Sequence, residues 1–147
     1  MARDSRRGVD RGGPASGVKN VLDTSILVRH FTHDDPVLGK RATDFIARAA
    51  PRELILTDVV AAELAVVLQR YYKQPRARVA EALRSLLSAS QVATFDAETL
   101  SRAVDLYEEE RAFVDAYALA VAEREGCGVV SFDRRIARRT SIARIEP

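Results

Sequence analysis

"VKNVLDTSILVRHF", residues 18–31, decides how the rest of the chain is read. Val18, Val21 and Leu22 make a short β-like run, and Asp23 follows directly, ahead of Thr24, Ser25 and a helix-like stretch. An Asp in that place has two readings. It is a preferred helix N-cap, and in an open parallel sheet it stands at the carboxyl end of a strand, where ligands bind.

Beyond this stretch the same alternation repeats. β-like runs occur at 53–57 (ELILT), 91–95 (QVATF), 128–132 (GVVSF) and, more weakly, 141–145 (SIARI). Helical patterns lie between them: one begins with Asp35 and Pro36, one opens on Asp58, one starts with Pro75, one is capped by Asp96, and an Ala-rich one starts at Asp115 and stops before Gly126. Strands that alternate with helices predict a single α/β domain over residues 18–147, with a central, mainly parallel β-sheet flanked by α-helices in three layers. Residues 1–17, rich in Gly, Pro, Ser and Arg without apolar periodicity, read as a disordered leader or an artificially appended tail.

Composition narrows the class. With 147 residues, 47% of them hydrophobic and 30% charged, the chain can bury one sizeable core, and disorder is excluded. No apolar run is long enough to span a bilayer, so no membrane partner is expected. The lone Cys127 cannot close an internal disulfide; lying in the run CGVVSF it reads as a buried, inert thiol, and a reducing, cytoplasmic location follows. The net charge of +2 is uneven, because the basic surplus sits within residues 1–19. Any nucleic-acid argument must therefore rest on local patches.

Four acids stand out. Asp133 follows the GVVSF run as Asp23 follows the first strand, and Asp115 opens its helix, so each of the three also has a capping or helix-dipole reading. Glu63 differs: it lies one turn inside VVAAELAVVL, where capping is unavailable, and an apolar setting would penalise its charge unless something positive met it. If Asp23, Glu63, Asp115 and Asp133 converge, their mutual repulsion calls for a divalent cation. Oxygen-only ligands favour Mg²⁺ or Mn²⁺ over zinc, and such an ion suits phosphodiester hydrolysis by an activated water.

The order VLDTS, AAEL, FVDAYALA, VVSFDRR, spread over residues 18–146, resembles the PIN domain, and within it the VapC-like toxin ribonucleases of toxin–antitoxin pairs. That resemblance implies a metal-dependent endoribonuclease in which Asp23 and Asp115 are the most direct metal ligands, with Glu63 and Asp133 completing the pocket or acting through water. It implies supporting hydroxyls at Thr24, Ser25 and Ser131, a small antitoxin that covers the acidic groove, and a homodimer. The family often has a further Asp where this chain has Ala112.

Arg134, Arg135, Arg138 and Arg139, in DRRIARR, would form a basic edge for RNA phosphates if the segment is helical, or else a solvated face. Arg70, Lys73, Arg76 and Arg78, with Tyr71 and Tyr72 among them, form a second candidate surface. His30 and His33 lack a third zinc-type ligand. The competing readings are a catalytically inactive RNA- or protein-binding module on the same fold, and another Asp-based α/β protein. A phosphatase of that kind wants a second Asp where Ser25 stands, and a receiver domain wants a late Lys, yet the last lysine is Lys73.

Overall fold

In this computed structural model, which describes residues 18–147, the backbone of Asn20 donates to Glu53 O and that of Leu22 to Ile55 O. These bonds join β1 (Asn20–Val21) to β2 (Leu54–Ile55), and β2 is joined in the same way to β3 (Val92–Ala93). Both pairings are parallel, with Asn20 opposite Leu54 and Leu54 opposite Val92, so the sheet order is β1-β2-β3. A second parallel pair, β4 (Val129–Val130) and β5 (Arg144–Ile145), forms its own two-stranded sheet. Each regular ladder spans two residues, shorter than the five-residue runs that mark it in the sequence, because the flanking residues already turn toward helices.

The helices are set by their caps. Asp23 caps α1 (Thr24–Thr32) by accepting from Ser25 N. Asp35 accepts from the backbone of Val37 and Leu38 to start α2 (Pro36–Arg48), where Pro36 loses nothing by lacking an N–H. Thr57 caps α3 (Asp58–Val66), which runs on into a π-helical turn, Val67–Tyr71. Pro75 precedes α4 (Arg76–Ser88), and Asp96 caps α5 (Ala97–Glu108). The last helix, α6 (Phe113–Glu125), starts two residues earlier than its Asp suggests: Ala112 holds the cap position and Asp115 lies inside the first turn. Its far end closes on Gly126, whose φ of 65° is the left-handed conformation that glycine adopts without strain.

One core unites these elements. Leu54 and Leu56 from the β2 strand region, Leu64 and Leu68 from α3 and its extension, Val79 and Leu83 from α4, Leu100 and Val104 from α5 and Leu119 from α6 are fully buried together. α3 buries Ala61, Leu64 and Ala65 and leaves Val59, Glu63 and Val66 exposed on its outer face. α1 and α2 meet at Gly39, where a Cβ would stand 3.0 Å from Arg29 O and 2.6 Å from His33 Nδ1.

Three expectations need correction. Residues 134–139 form a run of turns rather than a helix, so the arginine pairs 134/138 and 135/139 do not share a helical face. Cys127 is exposed, since it follows the helix-ending glycine on the outer side of the chain instead of entering the core. Arg76 is not part of a surface patch: its guanidinium turns inward over the Tyr107 ring, 4.5 Å from the centroid. The expectation for residues 1–17 lies outside the described residues.

Candidate functional site

Two of the four acids are tied to the start of α1. The Asp23 carboxylate accepts from Ser25 N at 3.2 Å and from Ser25 Oγ at 2.6 Å. These bonds, the side-chain one first, lower the Asp23 carboxyl from its ordinary value. Thr24, the adjoining residue, is buried and donates its hydroxyl to Glu63 Oε2 at 2.5 Å. Glu63 itself is exposed on the outer side of α3. Of the apolar neighbours seen in sequence, Ala61, Leu64 and Ala65 pack inward while Val59 and Val66 share the exposed face of Glu63, and the positive partner that Glu63 seemed to need is replaced by a hydroxyl.

The other two acids meet in a cavity of about 360 Å³. Asp115, in the first turn of α6, lines it together with Asp133, which follows β4. Asp133 is fixed locally: its N–H donates to Ser131 Oγ at 3.0 Å and its Oδ1 accepts from Arg135 N at 2.8 Å. Ser131 is held in turn by Arg144 of β5, whose Nη1 donates to the Ser131 carbonyl at 2.7 Å. The cavity is also lined by Arg111, Arg135, Arg138 and Arg139 and by Glu109 and Glu110; Arg134 is not among the lining residues. A space lined by both carboxylates and guanidiniums can hold a dication and an anionic ligand together.

Asp23 and Glu63 thus form one linked pair through Thr24, and Asp115 and Asp133 form a second across the cavity. Among the described residues, no group of three or more His, Cys, Asp or Glu side chains is gathered closely enough to hold one ion. A Mg²⁺-type ion does not require such a group, because it takes one or two carboxylates and keeps several waters. The cavity, lined by the carboxylates of Glu109, Glu110, Asp115 and Asp133 and by no His or Cys, fits that ion and not zinc.

Two features escaped the sequence reading. Asp58, read there as a cap or turn residue, is the first residue of α3, and its Oδ2 accepts from Tyr117 OH at 2.6 Å. The bond ties the helix of Glu63 to the helix of Asp115, and with burial it pushes the Tyr117 hydroxyl up to about 12. The second carboxylate oxygen of Asp58 is buried without a partner among the described residues. Arg111, which follows the acidic run EEE and passes in sequence for part of a solvated helix end, is nearly buried beneath the turns that carry Arg135 and Arg138. The Thr-Asp pair at 57–58 is a sequence signal for a helix start, but nothing in it points to Tyr117.

No helix among the described residues is long and apolar enough to cross a membrane. Comparison with characterised protein sequences gives no significant match. Among solved structures, the chain is similar to VapC20 of Mycobacterium tuberculosis, described as a Sarcin-Ricin loop cleaving toxin, at 24% sequence identity and a TM-score of 0.40, covering 86% of this chain and 98% of that one. The sequence pattern of the PIN domain matches residues 21–141, most of the chain, and the protein belongs to the PIN domain family.

Proposed function

We propose that this protein is a metal-dependent endoribonuclease, the VapC-like toxin of a toxin–antitoxin pair. The observation that carries the reading is the cavity in which Asp115 and Asp133 face Arg135, Arg138 and Arg139. Hydrolysis of an RNA phosphodiester needs carboxylates to hold a divalent ion and cations to hold the flanking phosphates, and this cavity offers both within one space. Mg²⁺ or Mn²⁺, when bound, would supply a water of lowered pKa and neutralise charge on the phosphoryl oxygens.

In this reading Asp115 and Asp133 hold the ion, with Asp23 and Glu63 completing the acidic set from the α1 side. Ser25 orients Asp23, Thr24 orients Glu63, and Ser131 fixes the Asp133 backbone. The turn arginines draw the RNA backbone in without reading its sequence. A small antitoxin would cover the acidic groove, and the toxin would act as a homodimer in the cytoplasm.

The second reading, an RNA- or protein-binding module without catalysis, draws on the separation of the acids into two pairs. One experiment decides between them. Purified protein is incubated with total cellular RNA in Mg²⁺, in Mn²⁺ and with chelator, with Asp115→Asn in parallel. Discrete, metal-dependent fragments that the variant does not produce are expected. A folded, antitoxin-free protein that binds RNA and never cuts it would favour the binding module.

A further inference from the structure

Arg111 connects α5 to α6 and keeps only 10% of its side-chain exposure, although it follows three exposed glutamates, Glu108, Glu109 and Glu110. Its guanidinium makes an ion pair with Glu109 at 3.8 Å but no hydrogen bond to any of the three. Instead, Nη1 donates to the Ile136 carbonyl at 3.1 Å and Nη2 donates to the Arg138 carbonyl. The Arg111 backbone is gripped from behind, because Arg76 of α4 donates to Arg111 O at 2.5 Å and to Tyr107 O at 2.7 Å.

The cost of this arrangement is visible. Burying a guanidinium is unfavourable unless its donors are satisfied, and Arg111 Nε is buried with no partner among the described residues. An apolar side chain would fill the same place with less penalty if packing were the only demand. What the fork contributes is a fixed spacing between two carbonyls of a segment with no helical ladder of its own. That segment is otherwise held by turn bonds, Ile136 N to Asp133 O, Arg138 N to Arg135 O and Thr140 N to Ala137 O, by the side-chain bonds of Asp133 to Arg135 N and of Thr140 to Ala137 O, and by Ala137 against the core, with Arg139 in the left-handed region at a φ of 61°.

We propose that Arg111 is a positioning residue for RNA: by gripping Ile136 and Arg138 it presents Arg135, Arg138 and Arg139 together at the cavity that holds Asp115 and Asp133. The inference rests on the reading of that cavity as an RNA site. Arg111 also lines the cavity, but its Nη1 and Nη2 are committed to the two carbonyls, so its effect passes through the turn.

The test is RNA binding in the Asp115→Asn background, where cleavage is silenced, with a 5′-labelled hairpin RNA at several salt concentrations. Each phosphate neutralised adds about 0.7–0.9 to the slope of log affinity against log salt. Arg111→Lys keeps the charge but cannot span both carbonyls. It is expected to fold, to weaken binding about tenfold, and to reduce that slope by about one contact. The pair Arg138→Gln/Arg139→Gln is expected to weaken binding further and to reduce the slope by up to two contacts, and joining it to Arg111→Lys should add little. Wild-type affinity and slope in Arg111→Lys, alongside a loss in the glutamine pair, would overturn the positioning role alone. No loss in the glutamine pair would overturn the RNA site itself. Should Arg111→Lys not fold, Arg76→Met, which frees the Arg111 backbone, must lower affinity and slope in the same direction, and an unchanged slope there sinks the proposal.

Discussion

Thr24 Oγ1 donates to Glu63 Oε2 at 2.5 Å, joining the first residue of α1 to the second turn of α3 across thirty-nine positions of sequence. The bond couples the helix that Asp23 caps to the helix that carries Glu63, so the geometry of one acid depends on the placement of the other.

Thr24→Val keeps the shape of the buried side chain and removes only the donor. Glu63 is exposed and can return to water, so the expected loss is about 1 kcal/mol, that of a typical hydrogen bond and below the range for one to a charged group. Urea unfolding of the two proteins measures it. A variant as stable as the wild type would mean that α1 is held to α3 by packing alone.

Tyr117→Phe removes the hydroxyl partner of a carboxylate whose other oxygen is already buried and unpaired among the described residues. The expected cost is about 1–3 kcal/mol. Its pH dependence has a defined sign. The Tyr117 hydroxyl is raised from its ordinary 10.0 to about 12, so its contribution is complete below pH 10.0 and is lost as pH rises through about 12. Thermal unfolding should show the gap between wild type and Tyr117→Phe narrowing across that interval, and a gap that stays constant would contradict the bond.

Asp34 gives the acid-side counterpart. The Tyr72 hydroxyl, first, and the Arg29 guanidinium hold it down to about 2, below its ordinary 3.8. A depressed carboxylate stabilises the fold above its unfolded value and ceases to do so as pH falls through its folded one. The difference in melting temperature between wild type and Asp34→Asn is therefore expected to be full above pH 3.8 and to shrink as pH falls toward about 2. A difference that is flat from neutral pH down to the bottom of that window would show that the Tyr72 and Arg29 contacts do not persist in solution.

Much of this is legible in the residues and some of it is not, for reasons of range. Caps act within three positions, so Asp23, Asp35 and Asp96 can be read directly, and the parallel sheet follows from strand–helix alternation. The start of α6 is hidden because Ala112 makes no side-chain cap bond and Asp115 looks like the first signal. The turns at 134–139 cannot be told from a helix, since the arginine spacing suits both and the deciding bonds come from Arg111, more than twenty residues earlier. Asp58 and Tyr117 are fifty-nine positions apart, and only the folded chain reveals that they touch.

The last buried side chain along the described residues is Ala122; everything described beyond it, including Asp133, the arginine turn and β4–β5, is half-buried or exposed. The cavity wall therefore joins two kinds of segment: Asp115 sits between the buried Phe113 and Ala116, whereas Asp133 and the arginine turn have no fully buried neighbour in the chain. Val129, Ala137 and Ile142 still pack against the core from this last stretch, so it is at the exposed positions between them, Arg135, Arg138 and Arg139 among them, that substitutions change the charge of the cavity wall while the interior keeps its packing.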